Sequence, residues 1–95
     1  MELNIRNLFV AFSKQGKHFV AYSPALDLST SGSTKARAAK RFANIVEPFF
    51  EEIAEAGTTH ALLTELGWQR KGVKSSWTPP AFSSENMSLR VPIVA

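Results

Sequence analysis

The stretch from His18 to Thr34, HFVAYSPALDLSTSGST, places the tightest limits on how this chain can fold. Its first part, His18 to Ser23, is rich in aromatic and β-branched side chains, which favours a strand. Pro24 has no backbone N–H to give to a neighbouring strand, so regular pairing ends there. Leu28 to Ser31 predicts a short third strand, and Gly32 permits the tight turn that leads into a helix. This order predicts a mixed α+β fold.

A partner strand is predicted upstream, from Leu3 to Phe12, where β-forming residues dominate. Its apolar residues change face near Arg6-Asn7, so we expect either a bulge there or a strand with both faces covered. The polar segment from Ser13 to Lys17 contains the glycine that a short hairpin loop requires. We therefore predict a β-hairpin over residues 3–23.

A long amphipathic helix is predicted from Lys35 to Ala56. Ser33 or Thr34 is its expected N-cap, and Gly57 is expected to end it in the left-handed conformation. Pro48 lies inside the helix and predicts a kink. One apolar stripe predicts that the helix covers the sheet. Its members are Ala39, Phe42, Ala43, Val46, Phe49, Phe50 and Ile53.

The remaining chain predicts a shorter helix from His60 to Leu66, capped by Thr58 or Thr59, followed by an irregular segment over residues 68–84. A small hairpin about Lys71-Gly72 fits this segment. Alternating apolar residues from Met87 to Ile93 predict a final, half-buried strand. The predicted architecture is an antiparallel β-β-β-α-(α)-β unit, in which one long helix covers a three- to four-stranded sheet.

Composition excludes several classes of protein. The chain has no cysteine, which excludes disulfides and cysteine zinc sites and favours a cytoplasmic location. No apolar run approaches the ~20 residues needed to cross a bilayer, and the N-terminus does not have the pattern of a signal peptide. We expect one domain over residues 1–95 and no membrane association.

Candidate catalytic residues are few. His18 and His60 are the only histidines, and Asp27 is the only acid between Glu2 and Glu47. Two-metal hydrolysis needs several converging carboxylates, and no Gly-x-Ser-x-Gly elbow is present. We therefore predict a non-enzymatic protein without metal or cofactor, and a nuclease is the weakest hypothesis. Asp27, in a turn, is expected to accept hydrogen bonds from neighbouring backbone N–H groups.

The long helix carries its charges against its own dipole. The basic residues of its first half are Lys35, Arg37, Lys40 and Arg41, and the acidic residues of its second half are Glu47, Glu51, Glu52 and Glu55. Three explanations are open. An anion, such as an RNA phosphate or an acidic partner, binds the basic end; two helices pack antiparallel in a homodimer; or the charges form a solvated surface.

A second candidate site combines aromatic and basic residues. It consists of Trp68, Arg70, Lys71, Lys74 and Trp77. Aromatic side chains interleaved with cations can stack on bases and follow phosphates. The alternative is that the tryptophans anchor this loop to the core.

The run Val20 to Leu28, followed by Ser31 to Thr34 and an alanine-rich helix, resembles the HicB antitoxin family. In that family a hairpin is followed by a Tyr-x-Pro-x-Leu turn, a Gly-x-Thr cap and a helix laid on the sheet. The turn and cap residues here are Tyr22, Pro24, Asp27, Gly32, Ser33 and Thr34. Leu62 to Trp68 looks like the tail of stand-alone members, and Leu89 to Val94 looks like their last strand.

The resemblance implies a degraded ribonuclease-H-like core in a stand-alone, single-domain member that forms homodimers or tetramers. It also implies antitoxin-type binding of a small RNase toxin or a homologous partner. Many members carry a C-terminal DNA-binding domain, and because the last strand is predicted to reach residue 94, we expect no such separate domain here. The acids usual at the family's helix start are replaced by Lys35 and Arg37, so the polarity of the partner is expected to differ. The alternative function is an RNA-binding module that uses the basic helix start and the 68–77 loop.

Overall fold

The computed structural model describes residues 5–71 and 76–94. Its elements follow the order β1 (Ala11–Gln15), β2 (His18–Ser23), β3 (Leu28–Gly32), α1 (Lys35–Glu55), α2 (Thr59–Glu65), β4 (Gln69–Lys71) and β5 (Ser76–Thr78). In the described part of the chain, β1, β2 and β3 form an antiparallel sheet in that order, and β4 and β5 form a separate antiparallel pair. The α+β class is confirmed, with a three-stranded sheet. No helix of the described residues has the length and apolarity to cross a membrane.

The first hairpin forms, but its first strand lies later in the chain than predicted. Gln15 pairs with His18 across a turn of two residues, Gly16 and Lys17. Gly16 has a φ of 62°, as a type II′ turn requires at its first position. Ser13 to Gln15, predicted as loop, are therefore strand, whereas residues 5–10 form none.

A left-handed residue explains why the predicted strand does not run through residues 5–10. Asn7 has a φ of 58°, a conformation incompatible with an extended strand. It lies where the apolar pattern changes face, so the change marks a bend in place of the expected bulge.

The turn between β2 and β3 belongs to the hydrophobic core. Leu26 donates its N–H to the carbonyl of Ser23 at 3.3 Å, which closes a turn with Pro24 in its second position. Ala25 and Leu26 are 0% and 2% exposed. They form one core cluster with Ile53, Leu63 and Trp68. The tip of the turn is thus enclosed by both helices and the segment after them.

The long helix is confirmed, and Thr34 is its N-cap, since the Thr34 hydroxyl accepts a hydrogen bond from the N–H of Arg37 at 3.0 Å. The helix continues through Pro48. The predicted apolar stripe is wrong at Ala39 and Ala43, which are exposed. The buried or half-buried face consists of Ala38, Phe42, Ile45, Val46, Phe49, Phe50 and Ile53. The buried face differs from the prediction because the first turn of the helix packs on the backbone of β3 at Gly32, which turns Ala38 toward the sheet.

Both helices end in the same hydrogen-bonded motif around a left-handed glycine. After α1, Gly57 and Thr58 donate to the carbonyls of Ala54 and Ile53 at 3.1 and 2.9 Å. After α2, Gly67 and Trp68 donate to the carbonyls of Thr64 and Leu63 at 3.1 and 2.9 Å. This is the Schellman pattern, which reverses the chain over the last helical turn. The second instance turns Trp68 back onto the core.

Ser23 is buried without a partner for its hydroxyl. It is 0% exposed, and its Oγ makes no hydrogen bond to the described residues. Because an unsatisfied buried hydroxyl is costly, we expect Ser23→Ala to raise the free energy of unfolding by about 1 kcal/mol in chemical denaturation. Ser29→Ala, at an exposed position of β3, is the control and should change stability by less than about 0.5 kcal/mol. A clear loss of stability in Ser23→Ala would show that the hydroxyl is satisfied.

The predicted final strand is wrong for the single chain. Residues 79–94 form no helix or strand, and Met87, Leu89, Val91 and Ile93 are 70%, 74%, 67% and 85% exposed. The start of this segment contacts the rest of the chain through Phe82, whose ring centroid lies 5.8 Å from that of Phe9. The radius of gyration is 16.3 Å, against about 12 Å for a compact chain of this length. This segment pairs with no strand of the described residues, and residues 85–94 extend from the body as an exposed tail.

Candidate interaction surface

Six exposed cations gather where the first hairpin meets the start of α1. The four helix residues predicted from the sequence are all exposed. The hairpin adds two lysines. Lys14 pairs with Phe19, and Phe19 pairs with Gly32 just before the helix. Lys17 lies in the turn at the same end of the sheet. We call this group the basic surface, and its members are Lys14, Lys17, Lys35, Arg37, Lys40 and Arg41.

Two lysines of the basic surface lie over aromatic rings. The Nζ of Lys35 is 5.1 Å from the centroid of the Phe12 ring, and the Nζ of Lys14 is 6.0 Å from that of Phe19. Both rings are half-buried and pack beside Ala38 and Phe42. Cation–π contacts of this kind orient the ammonium groups and leave their charge unneutralised.

The two arginines of the basic surface are held by neutral oxygen atoms. Arg37 donates from Nη1 to the Ser33 hydroxyl at 3.0 Å, and Arg41 donates from Nη1 to the carbonyl of Ser31 at 3.1 Å. Within residues 5–71 and 76–94, neither guanidinium is paired with a carboxylate. Each guanidinium has five N–H groups, so most of its donors face solvent. These side chains are positioned and still able to bind an anion.

The acidic groups lie away from the basic surface. Glu47, Glu51, Glu52 and Glu55 are exposed on the second half of α1, and Asp27 lies at the opposite end of the sheet from the first hairpin turn. The first turn of α1 contains no acid, and its last turn contains no base. In the described chain, the first half of α1 is therefore positive and its second half is negative. This separation produces a positive potential at the basic surface, which attracts anionic groups.

The second candidate site is not assembled as an aromatic platform. Trp68 is 3% exposed, donates from Nε1 to the carbonyl of Ala25 at 2.7 Å, and meets the Phe50 ring edge-to-face at 6.2 Å. Its assignment as a partner- or RNA-binding residue is therefore wrong, and the core-anchor alternative is correct. Trp77 is half-buried against His60, with 5.5 Å between ring centroids.

The basic residues of that second site are placed only in part. Arg70 is exposed on β4. The side chain of Lys71 and the whole of Lys74 lie outside the described residues. The two-stranded pair of β4 and β5 supports the predicted hairpin, whose turn also lies outside the described part. The structure therefore does not test a role for this loop in binding.

The turn and cap residues perform local structural roles. The Tyr22 hydroxyl donates to Oδ1 of Asp27 at 3.3 Å, so within the described chain this carboxylate bonds a side chain and not the expected backbone N–H groups. Asp27 itself has a φ of 51°, which aspartate tolerates better than most residues. Partial desolvation, followed by the charge of Asp27 and this hydrogen bond, raises the pKa of Tyr22 above its ordinary value of 10.0.

The contact predicts a change in tyrosine titration. Asp27→Asn removes the nearby negative charge, so the pKa of Tyr22 should move down toward 10.0. Tyr22 is the only tyrosine, so phenolate absorbance reports it alone. The raised pKa means that protonated Tyr22 stabilises the folded state. This contribution is fully present below the unfolded-state pKa and is lost as the pH rises through the folded-state pKa. Glu47→Gln is the control, and an unchanged midpoint in Asp27→Asn would exclude the contact.

Neither histidine joins a catalytic or metal cluster in the described chain. His18 is exposed on β2, and His60 is exposed near the start of α2. In residues 5–71 and 76–94, no three His, Cys, Asp or Glu side chains lie together as a metal site would need. The basic surface is thus the candidate binding site. No family model, curated protein or solved structure matches the chain.

Proposed function

We propose that this chain is a HicB-like, non-enzymatic interaction module that binds a protein of the small RNase-toxin type through its basic surface. The observation that carries the proposal is a group of six exposed cations without a carboxylate partner in the described chain. The antiparallel sheet followed by α1 supports the HicB-like, degraded ribonuclease-H-like interpretation of the fold.

The positive charge of the basic surface indicates the charge of the partner's binding face. Cations that are already oriented by Phe12, Phe19 and Ser33 lose little side-chain freedom when an anion binds. Complementary charge accelerates association and fixes orientation. The partner should therefore present carboxylates to the start of α1. This agrees with the replacement of the family's helix-start acids by Lys35 and Arg37.

RNA binding is the second candidate, and one observation favours it. Phe12 and Phe19 lie among the cations, as aromatic residues do in single-strand binding sites. However, a lysine ammonium already lies over each ring, and Trp68 is enclosed in the core. RNA would then be held through its phosphates, without base stacking. A protein partner uses the same cations without needing aromatic faces, so it is the preferred candidate.

The antitoxin proposal is tested with the full chain and the RNase-like protein that the proposal expects to be encoded beside it. The double variant Arg37→Glu/Arg41→Glu should weaken the complex about 100-fold in calorimetry and restore RNase activity, since two buried charge contacts become repulsive. Arg6→Glu reverses an exposed charge that is not part of the basic surface, and it should bind like the wild type. Equal affinities for both variants, or a locus without such a gene, would contradict the proposal.

The RNA candidate is tested by anisotropy with a labelled oligouridine of roughly 20 nucleotides, long enough to span a binding groove. Phosphate binding predicts that log K falls with log salt, by about 0.7 for each phosphate contacted. The Arg37→Glu/Arg41→Glu variant should reduce that slope. Absence of binding at low salt would exclude the RNA candidate and leave the protein-binding proposal intact.

A further inference from the structure

The chain carries two incomplete halves of a β-sheet interaction. One is the outer edge of β1, which has no neighbouring strand among the described residues. The other is the exposed tail, residues 85–94, with its regular alternation of apolar side chains. We propose that the tail of one copy adds as an antiparallel strand to the β1 edge of a second copy, and that the exchange is reciprocal. This inference does not depend on the partner proposed for the basic surface.

Pro92 determines which side of the tail can pair. In a strand, the N–H and C=O groups of alternate residues point to the same side. Pro92 has no N–H, so its side of the strand must face solvent. The hydrogen bonds then come from the odd-numbered residues, whose apolar side chains are Met87, Leu89, Val91 and Ile93. Because of Pro92, the tail can form backbone hydrogen bonds along only one of its edges, as a strand added to the edge of a sheet does.

The receiving edge is β1 because the edge of β3 is partly blocked. Arg41 occupies the carbonyl of Ser31 on β3. On β1, the two-residue turn makes Gln15 and His18 a hydrogen-bonded pair. Pairs alternate along an antiparallel ladder, so Phe12 and Lys14 point their backbone groups away from β2, toward the open edge.

The direction of the added strand follows from side-chain faces. In antiparallel pairing, residues that exchange two hydrogen bonds lie opposite each other with side chains on the same face. Phe12 faces the core cluster of Ala38 and Phe42. An antiparallel tail therefore places its odd-numbered apolar side chains beside Phe12, on the side of the sheet that α1 covers. Parallel pairing would place them on the opposite face.

A second copy is the occupant that pairs both the tail and the β1 edge. The contact of Phe82 with Phe9 fixes the start of the tail, which then extends beyond the body of its own chain. Residues 83–94 can span about 40 Å when extended, enough to reach another molecule. Every copy offers one tail and one edge, so a two-fold dimer satisfies both, as in other exchanged dimers.

The surface involved is large enough for a stable dimer. At about 25 cal/mol per Å², the free energy gained by burying one apolar side chain of the tail corresponds to roughly 60–120 Å² of apolar surface. Four such side chains on each of two tails remove roughly 500–1,000 Å². The receiving surfaces lose a similar area, which brings the total to about 1,000–2,000 Å², the range of stable interfaces.

Sedimentation equilibrium of the full chain tests the proposal. The wild type should be a dimer, and Leu89→Asp/Val91→Asp should weaken dimerisation at least about 100-fold because charges enter the apolar face. Asn86→Asp/Ser88→Asp adds the same charge to the opposite face of the tail and should dimerise like the wild type. The tail does not support the core, so circular dichroism of all three should agree. A monomeric wild type, or a dimer that resists Leu89→Asp/Val91→Asp, would overturn the proposal.

Amide exchange in the dimer tests the pairing itself. The N–H groups of Leu89, Val91 and Ile93 should be protected, together with those of Phe12 and Lys14, whereas those of Ser88 and Arg90 should exchange freely. Dilution to the monomer should remove the protection. Protection of Ser88 and Arg90, or a monomer that keeps its tail protected, would overturn the proposal, because the tail would then pair by its other side or within its own chain.

Discussion

Gly32→Ala is expected to lower the free energy of unfolding by about 3 kcal/mol, at the upper end of the cost of overpacking. A Cβ at this position would lie 2.6 Å from the backbone N of Ala38 and 2.9 Å from the backbone carbonyl carbon of Arg37. Both atoms belong to the first turns of α1, so the clash cannot be relieved by a side-chain rotation. Chemical denaturation, with unfolding followed by tryptophan fluorescence, measures the loss.

Ser31→Ala is the matched control for this prediction. Ser31 precedes Gly32 on β3 but is exposed, so its replacement should change stability by less than about 0.5 kcal/mol. A cost below about 1 kcal/mol for Gly32→Ala would mean that the helix start can move away from the strand. Because Arg37 and Arg41 are positioned by this approach, the same result would weaken the geometry of the basic surface.

Trp68→Ala is expected to destabilise the fold by about 3–5 kcal/mol, as for other buried aromatic residues. The substitution removes the contact with Phe50 and leaves a cavity between α1, α2 and the β2–β3 turn. It also deprives the carbonyl of Ala25 of the indole N–H that binds it at 2.7 Å. Denaturation curves of the variant and the wild type measure the loss.

Trp68→Phe separates packing from hydrogen bonding. It keeps an aromatic ring in the core but leaves the Ala25 carbonyl without its donor, so we expect a smaller loss of about 1–3 kcal/mol. A loss below about 1 kcal/mol for Trp68→Ala would contradict the assignment of this residue as a core anchor. It would also return Trp68 to the candidate binding residues.

The elements that the sequence predicted well carry local signals. β2 and β3 lie between a glycine turn, a proline turn and Gly32, and α1 begins after its threonine cap and ends before Gly57. Each of these boundaries depends on the conformational preference of one residue. β1 was predicted too early, because its end depends on the pairing of Gln15 with His18 across the turn. The β-forming residues before it are bent by Asn7.

The candidate site was predictable to a similar extent. The helical half of the basic surface was visible as a charge pattern, whereas Lys14 and Lys17 join it only through the sheet register. Knowing that Gly16 opens a two-residue turn would have been enough to place Lys14 beside Phe19. Trp68 was ambiguous because its burial depends on a partner 43 residues away, the carbonyl of Ala25. The exposure of the tail likewise depends on the lack of an adjacent strand among the described residues, which no local pattern encodes.

Backbone amide chemical shifts, recorded while the full chain is titrated with the RNase-like protein, test most directly whether the partner binds the basic surface. We expect the largest changes at Lys14, Lys17 and the first two turns of α1, including Lys35, Arg37 and Arg41. The amides near Glu51 and Glu55 should change little. Changes centred on the second half of α1 or on β4, with the basic surface unaffected, would contradict the proposal.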